Sequence, residues 1–351
     1  MIRRQSRKVT CGSVEIGGNA PISIQSMTKT DTRDVKATVA QIHRLESAGC
    51  QITRSAVPDM EAAKALKDIK RQINIPLVAD IHFDYRLALQ AIDSGVDKLR
   101  INPGNIGSKA RVAEVVKAAK QAGIPIRIGV NGGSLEKSLL DKYGGPTPDA
   151  LVESAMGHVQ ILEDLDFHDM ILAVKVSDVL TTIEAYQKLA QVTDYPFHIG
   201  VTEAGTLQGG TIKSAIGIGS LLLSGIGDTL RVSLTGDPVE EIKVAKEILK
   251  VLGLRTSGIN LISCPTCGRC QVGMIDVANA IEKRVANLET QATVAIMGCA
   301  VNGPGEARHA DLGVACGKGE ALIFSKGEIL RKVKEDEIID ELMKELEGMS
   351  E

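Results

Sequence analysis

Eight short runs of apolar and β-branched residues recur along roughly the first 250 positions, and this recurrence constrains the fold more than any other feature. The runs are ISIQSM (22–27), CQITRSAV (50–57), PLVADIHF (76–83), KLRINPG (98–104), PIRIGVN (125–131), MILAVKVSD (170–178), FHIGVTE (197–203) and TLRVSLTG (229–236). Helix-patterned stretches separate them, such as VKATVAQIHRLESAG (35–49) and ARVAEVVKAAKQAG (110–123), the latter ending on the glycine that commonly stops a helix. Eight strand–helix units at a spacing of roughly 22–45 residues predict a (β/α)8 barrel. A doubly wound open sheet is the competing architecture, but no G-x-G-x-x-G follows the first strand.

The last barrel helix is PVEEIKVAKEILKVLG (238–253), which sets the expected domains at 1–253 and 254–351. The second half reads as a small α+β unit. Strand INLIS (259–263) leads to helix DVANAIEKRVANLE (276–289), strand TVAIMG (293–298), two strands around LGVACG and ALIFSKG, and a charged helix from about 334. That last helix reads as a solvated face.

Composition narrows the function classes. Aromatic residues make up only 2% of the chain, with no Trp, so base-stacking nucleic-acid modules are not expected. A net charge of −3 provides no global field for polyanions, and any anion site must be local. The basic start MIRRQSRKVTCG has no apolar stretch behind it, and no run approaches a membrane span, so a cytoplasmic protein is expected. Seven cysteines point to metal or redox chemistry over a disulfide scaffold.

Barrel chemistry sits at the carboxyl ends of the strands. Those ends here carry Arg54, Arg100, Arg127, Lys175 and Arg231. Period-two alternation puts Arg100 with Asn102, Lys175 with Ser177, Arg231 with Ser233, and Arg127 with Gly129 and Asn131. Five cations at one mouth repel each other unless an anion offsets them, and a diphosphate suits guanidinium forks. Asp80 and Glu203 are the carboxylates at the same level, either neutralising an arginine or, for Glu203, delivering a proton. His82 reads as a hydrogen-bonding residue.

In ISCPTCGRCQ, Cys264, Cys267 and Cys270 stand at C-x2-C-x2-C, and Cys299 follows in MGCAVNGPGE. A zinc ribbon would need a second C-x2-C pair, which is missing; an iron–sulfur cluster tolerates the asymmetry. Spacing alone leaves Cys270 open as a ligand, and the sharp Gly-Pro-Gly bend brings Glu306 into consideration as a carboxylate ligand. Cys11 and Cys50 read as ordinary buried thiols.

The motifs RSAVP, ADIHF, LRINPGN, RIGVNGGSL, VTEAG, RVSLTGDP, ISCPTCGR and GCAVNGPGEA, spread over essentially the whole chain, resemble the bacterial 4-hydroxy-3-methylbut-2-enyl diphosphate synthase family of the non-mevalonate isoprenoid pathway. The resemblance implies a TIM barrel followed by a [4Fe–4S] domain, with Cys264, Cys267, Cys299 and Glu306 as cluster ligands and Cys270 as a bystander. It implies substrate contacts from Arg54, Arg100, Asn102, Arg127, Asn131, Lys175, Thr202, Arg231 and Ser233, and proton transfer by Glu203. The implied reaction is reductive opening of 2-C-methyl-D-erythritol 2,4-cyclodiphosphate with loss of water, using two electrons from flavodoxin or ferredoxin. A head-to-tail homodimer is expected, both from this resemblance and from the short segment after the last barrel helix. The competing readings are a phosphate-binding barrel with a structural zinc module, and a barrel lyase that needs no electron donor.

Overall fold

The computed structural model describes residues 2–255, 258–270, 272–286, 288, 290–299, 305 and 307–349. The chain divides into two compact units, Met1–Leu252 and Gly253–Glu351.

All eight expected strands are present in the first unit: β3 (Ser23–Met27), β4 (Ile52–Ala56), β5 (Leu77–Asp80), β6 (Lys98–Ile101), β7 (Ile126–Asn131), β8 (Met170–Lys175), β9 (His198–Ile199) and β10 (Thr229–Leu230). They pair in parallel in the order β8-β7-β6-β5-β4-β3-β10-β9. A bridge between Leu172 and Phe197 joins the two ends and closes the barrel. The helix after β3, Val35–Ser47, shows how each unit docks: Thr38, Val39, Ile42 and Leu45 recur at helical spacing and are buried. Asp34 caps that helix by accepting from the Ala37 N–H at 2.9 Å, and Asp59, Asp84, Asp178 and Asp237 cap later barrel helices in the same way.

A hairpin that the strand pattern did not reveal precedes the barrel. Its strands are β1 (Val9–Cys11) and β2 (Val14–Ile16). Val9, Cys11 and Ile16 pack with Ile52, Val78 and Ile171, residues in the early part of three barrel strands, so the hairpin forms the barrel floor. The basic N-terminus straps the same end: Arg4 donates to the carbonyls of Thr193 (2.7 Å) and Tyr195 (2.5 Å) and lies 3.9 Å over the Phe197 ring, while Arg3 pairs with Asp228 at 3.3 Å. Its charges are therefore structural.

The second unit is a five-stranded sheet in the order β11 (Ile259–Ser263), β12 (Ala292–Met297), β13 (Leu312–Cys316), β14 (Glu320–Ser325) and β15 (Glu328–Lys334). The first three strands run parallel and the rest antiparallel. One face packs on helices Met274–Val285 and Ile338–Gly348 through Val277, Ile281, Val294, Val314, Ile338 and Leu342. Strand β15 stands where the sequence pattern suggested chain leading into the final helix. Lys326 and Gly327 (φ 48° and 85°) make a two-residue turn of the kind that joins antiparallel strands.

Candidate active site and thiol cavity

Arg54, Arg100, Arg127, Asn131, Lys175, Thr202, Arg231 and Ser233 line one cavity of about 190 Å³ at the carboxyl ends of the barrel strands, together with Asp80 and His82. The strand register explains the gathering. Met27 pairs with Arg54, Ala56 with Asp80, Asp80 with Arg100, Arg100 with Arg127, and Asn131 with Lys175, and paired residues of parallel strands share a face.

The five cations are not held alike. Asp80 lies 3.2 Å from Arg100, 3.7 Å from Arg54 and 3.6 Å from the His82 ring. Burial pushes the Asp80 carboxyl up, but Arg54, the His82 hydrogen bond and Arg100 together outweigh it and hold the group well below the usual carboxylate range. Arg54 also sets its Nη2 2.9 Å from the Met27 sulfur, and burial lowers its pKa to about 10 against the opposing pull of Asp80. Arg231 faces Glu241 of the last barrel helix at 3.4 Å. Arg127 is only 3% exposed, pairs with no carboxylate among the described residues, and has both Nε and Nη1 buried without a hydrogen-bond partner there, whereas Arg100 and Arg231 leave only Nε so. Burial and then the fields of Arg54 and Arg100 push the Arg127 pKa down. Burial, Arg127 and Arg231 do the same to Lys175, which has no carboxylate partner among the described residues. Orphaned buried donors beside unpaired positive charge make a cradle for an anion.

Two glycines make room for this set. A Cβ on Gly129 would sit 2.6 Å from Arg100 Nε, and one on Gly200 would sit 2.3 Å from the Arg231 carbonyl oxygen and 2.9 Å from Lys175 Nζ. Gly200 also has φ +156°, at the edge of the region that side chains rarely adopt.

Two expected residues do not line the cavity. Strand β6 ends at Ile101, so the alternation that would pair Asn102 with Arg100 stops there; Asn102 instead caps the short helix Pro103–Ile106, accepting from the Gly104 N–H at 3.0 Å. Glu203 is exposed in the turn after Thr202, with φ +52°, a left-handed backbone uncommon for a non-glycine residue. Sequence reasoning also passed over three buried groups. Lys98, fully buried two residues before Arg100, donates to Gln25 Oε1 at 3.3 Å, and burial lowers its pKa to about 8. His198 is fully buried with neither ring nitrogen hydrogen-bonded among the described residues, and burial followed by Lys175 and Arg127 pushes its pKa well down. Extending the alternation back from Arg100 would have found Lys98. Nothing in the helix pattern signals Glu241.

In the second unit, Cys264, Cys267 and Cys299 border one cavity of about 170 Å³, with Pro265, Thr266, Arg269, Met297 and Gly298. Cys264 follows β11 and Cys299 stands just past β12, so neighbouring parallel strands deliver both thiols; the Cys264 N–H donates to the Ile296 carbonyl at 2.9 Å. The thiols surround a space and do not close on a point: among the described residues no three His, Cys, Asp or Glu side chains form a single-ion site. Cys270 does not border the cavity; its thiol points to the Val272 carbonyl at 3.5 Å. Glu306 lies outside the described residues. Cys11, Cys50 and Cys316 are buried, and burial raises the Cys50 thiol to about 12 and the Cys316 thiol to about 11, which keeps both protonated and inert.

Family models described as the GcpE TIM-barrel domain and the GcpE protein C-terminal domain match residues 6–246 and 260–348. The chain belongs to the GcpE family. A protein of Clostridium perfringens (strain 13 / Type A) named 4-hydroxy-3-methylbut-2-en-1-yl diphosphate synthase (flavodoxin) is 63% identical over 347 residues, which cover 99% of each chain. A relative of the same name from Geobacillus thermodenitrificans (strain NG80-2) is 60% identical over 349 residues, covering 99% of this chain and 93% of that one. Among solved structures, 3-dehydroquinate dehydratase from Geobacillus kaustophilus HTA426 is similar with a TM-score of 0.52 at 15% identity, covering 72% of this chain and 98% of that one. Dihydropteroate synthase from Yersinia pestis reaches 0.50 at 10% identity, covering 70% and 98%. At such identities these two structures speak to the fold alone.

Proposed function

We propose that this GcpE chain is an iron–sulfur oxidoreductase that opens and dehydrates 2-C-methyl-D-erythritol 2,4-cyclodiphosphate to (E)-4-hydroxy-3-methylbut-2-enyl diphosphate. Two electrons enter, supplied by flavodoxin or ferredoxin, and one water leaves. The observation that carries the reading is the pairing of a five-cation barrel cavity with a three-thiol cavity in a chain 63% identical to a synthase of that name. The same relationship disfavours the zinc-module alternative.

In this reading the substrate's diphosphate lies against Arg127 and Lys175, the cations with no carboxylate partner among the described residues, and Arg54, Arg100 and Arg231 complete the grip. Each charge-assisted contact contributes about 1.5–3 kcal/mol. Asn131, Thr202 and Ser233 bind the remaining polar oxygens from the same wall, and Asn102 is assigned to the adjoining loop. Glu203, on the turn beside Thr202, protonates the departing hydroxyl. Cys264, Cys267 and Cys299 would hold a [4Fe–4S] cluster with Glu306 as fourth ligand; three cysteines without a second C-x2-C pair suit an iron–sulfur cluster better than a zinc ribbon. The bound cluster would supply electrons one at a time and Lewis acidity towards a substrate oxygen.

The assembly reading is a head-to-tail homodimer in which each cluster unit serves its partner's barrel. The helix Pro238–Val251 starts at the mouth level, after β10, and the six residues 253–258 beyond it span at most about 20 Å. Heterodimers of an Arg127→Met chain with a Cys264→Ser chain should regain activity; properly exchanged mixtures that stay dead exclude the arrangement. Among the described residues no helix is long and apolar enough to cross a membrane; a cytoplasmic location belongs to the proposal.

The direct test is anaerobic purification followed by spectroscopy and turnover. The expected result is a band near 400 nm bleached by dithionite, about four irons per chain, and product formation with reduced flavodoxin. A colourless, zinc-loaded protein would overturn the proposal, as would turnover without an electron donor.

A further inference from the structure

Glu241 is the most enclosed acidic side chain near the barrel cavity, 1% exposed, yet it lies on the last barrel helix and does not line the cavity. Its carboxylate accepts from the Ser26 hydroxyl at 2.9 Å and the Leu234 N–H at 3.1 Å. It also faces Arg231 at 3.4 Å and Lys29 Nζ at 3.5 Å. Lys29 in turn donates to the carbonyls of Leu234 (2.8 Å) and Gly236. One carboxylate therefore ties β3, the loop after it, Arg231 and the loop after β10 together. The neighbouring Glu240 pairs with Lys243 at 2.7 Å on the same helix, an ordinary surface contact. A buried carboxylate without partners would be expensive, so its four partners and its burial require each other.

We propose that Glu241 is a positioning residue for anion binding: it fixes Arg231 from behind, as Asp80 fixes Arg54 and Arg100. These two carboxylates offset part of the charge of Arg54, Arg100 and Arg231 and leave Arg127 and Lys175 without an offsetting carboxylate among the described residues. Diphosphate is thereby received in one orientation, with its greatest charge towards Arg127 and Lys175. The inference rests on the reading that the cavity takes a diphosphate, and it adds a residue outside the cavity wall that sets affinity by acting through Arg231.

Glu241→Gln keeps the size and an acceptor oxygen but removes the charge. On anaerobic holoenzyme, inorganic pyrophosphate binding by calorimetry and KM and kcat for the cyclic diphosphate separate the possibilities. Glu241→Gln is expected to weaken pyrophosphate binding and raise KM by about five- to tenfold while kcat changes less than about twofold. In an Arg231→Met background the same change should add less than about twofold, because the group it acts through is gone. Effects that multiply in the double variant would overturn the inference. So would unchanged pyrophosphate affinity and KM alongside a lowered melting temperature. If Glu241→Gln does not fold, Glu241→Asp tests the same coupling, with a smaller loss that again vanishes beside Arg231→Met. Coupling seen with pyrophosphate but no turnover of the cyclic diphosphate would refute the functional reading and leave the positioning role standing. Turnover without coupling would do the reverse.

Discussion

The barrel cavity and the thiol cavity sit in equivalent places, at the carboxyl ends of parallel strands, but they are built on opposite principles. In the barrel, strand register forces like charges together, and two buried carboxylates, Asp80 and Glu241, offset part of the repulsion from within. The shape of that site is fixed by strand register and by these internal ion pairs. In the second unit, thiols at strand ends and in a loop border a space, and Thr266 between the first two of them has φ +67°. In the proposed reading, a site of that kind would take its final stability from the cluster it holds, because metal affinity becomes folding free energy. A charged pocket is thus preorganised by its scaffold, while a thiolate cage completes itself around its cargo.

The largest expected effect strikes the second region alone. Cys264→Ser should abolish turnover by at least about a thousandfold and strip the iron, because the cofactor carries the electron chemistry. Calorimetry should then show a lowered transition for the second unit and an unchanged one for the barrel; a barrel that melts earlier would break the contrast. Next, Arg127→Met should weaken pyrophosphate binding by about ten- to a hundredfold with iron content unchanged. Arg54→Met should cost less than Arg127→Met, since part of the Arg54 charge is already engaged by Asp80 at 3.7 Å. Equal losses would show that internal pairing does not decide which cations serve the ligand.

A third effect separates charge from packing inside the barrel. The Lys98 pKa is lowered from 10.5 to about 8 by burial, so between those values the unfolded chain holds more protons than the folded one. Barrel stability should therefore rise with pH from about 8 to about 10.5, with the full penalty present below pH 8. Lys98→Met should remove that slope and raise stability at pH 7 by about 1–3 kcal/mol, read from melting curves across pH. The smallest effect belongs to Cys270→Ala. Its thiol does not border the cavity, so iron content should be retained, turnover should stay within about twofold, and stability should fall by about 1 kcal/mol. Iron loss in that variant would make Cys270 a ligand.

Strand periodicity made the barrel legible: all eight β-branched runs contain strands, even where β9 and β10 have shrunk to two residues each. The cation cluster was legible for the same reason, since alternation along a strand fixes the face of each arginine. Alternation failed where the strand ended, at Asn102, because capping a helix start took the side chain elsewhere. The floor hairpin escaped because VTC and VEI are three residues each and carry no repeated partner pattern. Glu241 escaped because a glutamate in an amphipathic helix looks like solvent-facing charge until the helix is docked. Glu306, assigned by resemblance, lies outside the described residues and remains a proposal for the spectroscopy above.

The hairpin beneath the barrel has a kinetic consequence. With Val9, Cys11 and Ile16 packed against the early part of the strands, the floor is closed by side chains, and the cation-lined cavity lies at the carboxyl ends of the strands. Substrate and product then occupy the same small cavity of about 190 Å³, and one must leave before the other binds. Product should accordingly compete directly with substrate for entry.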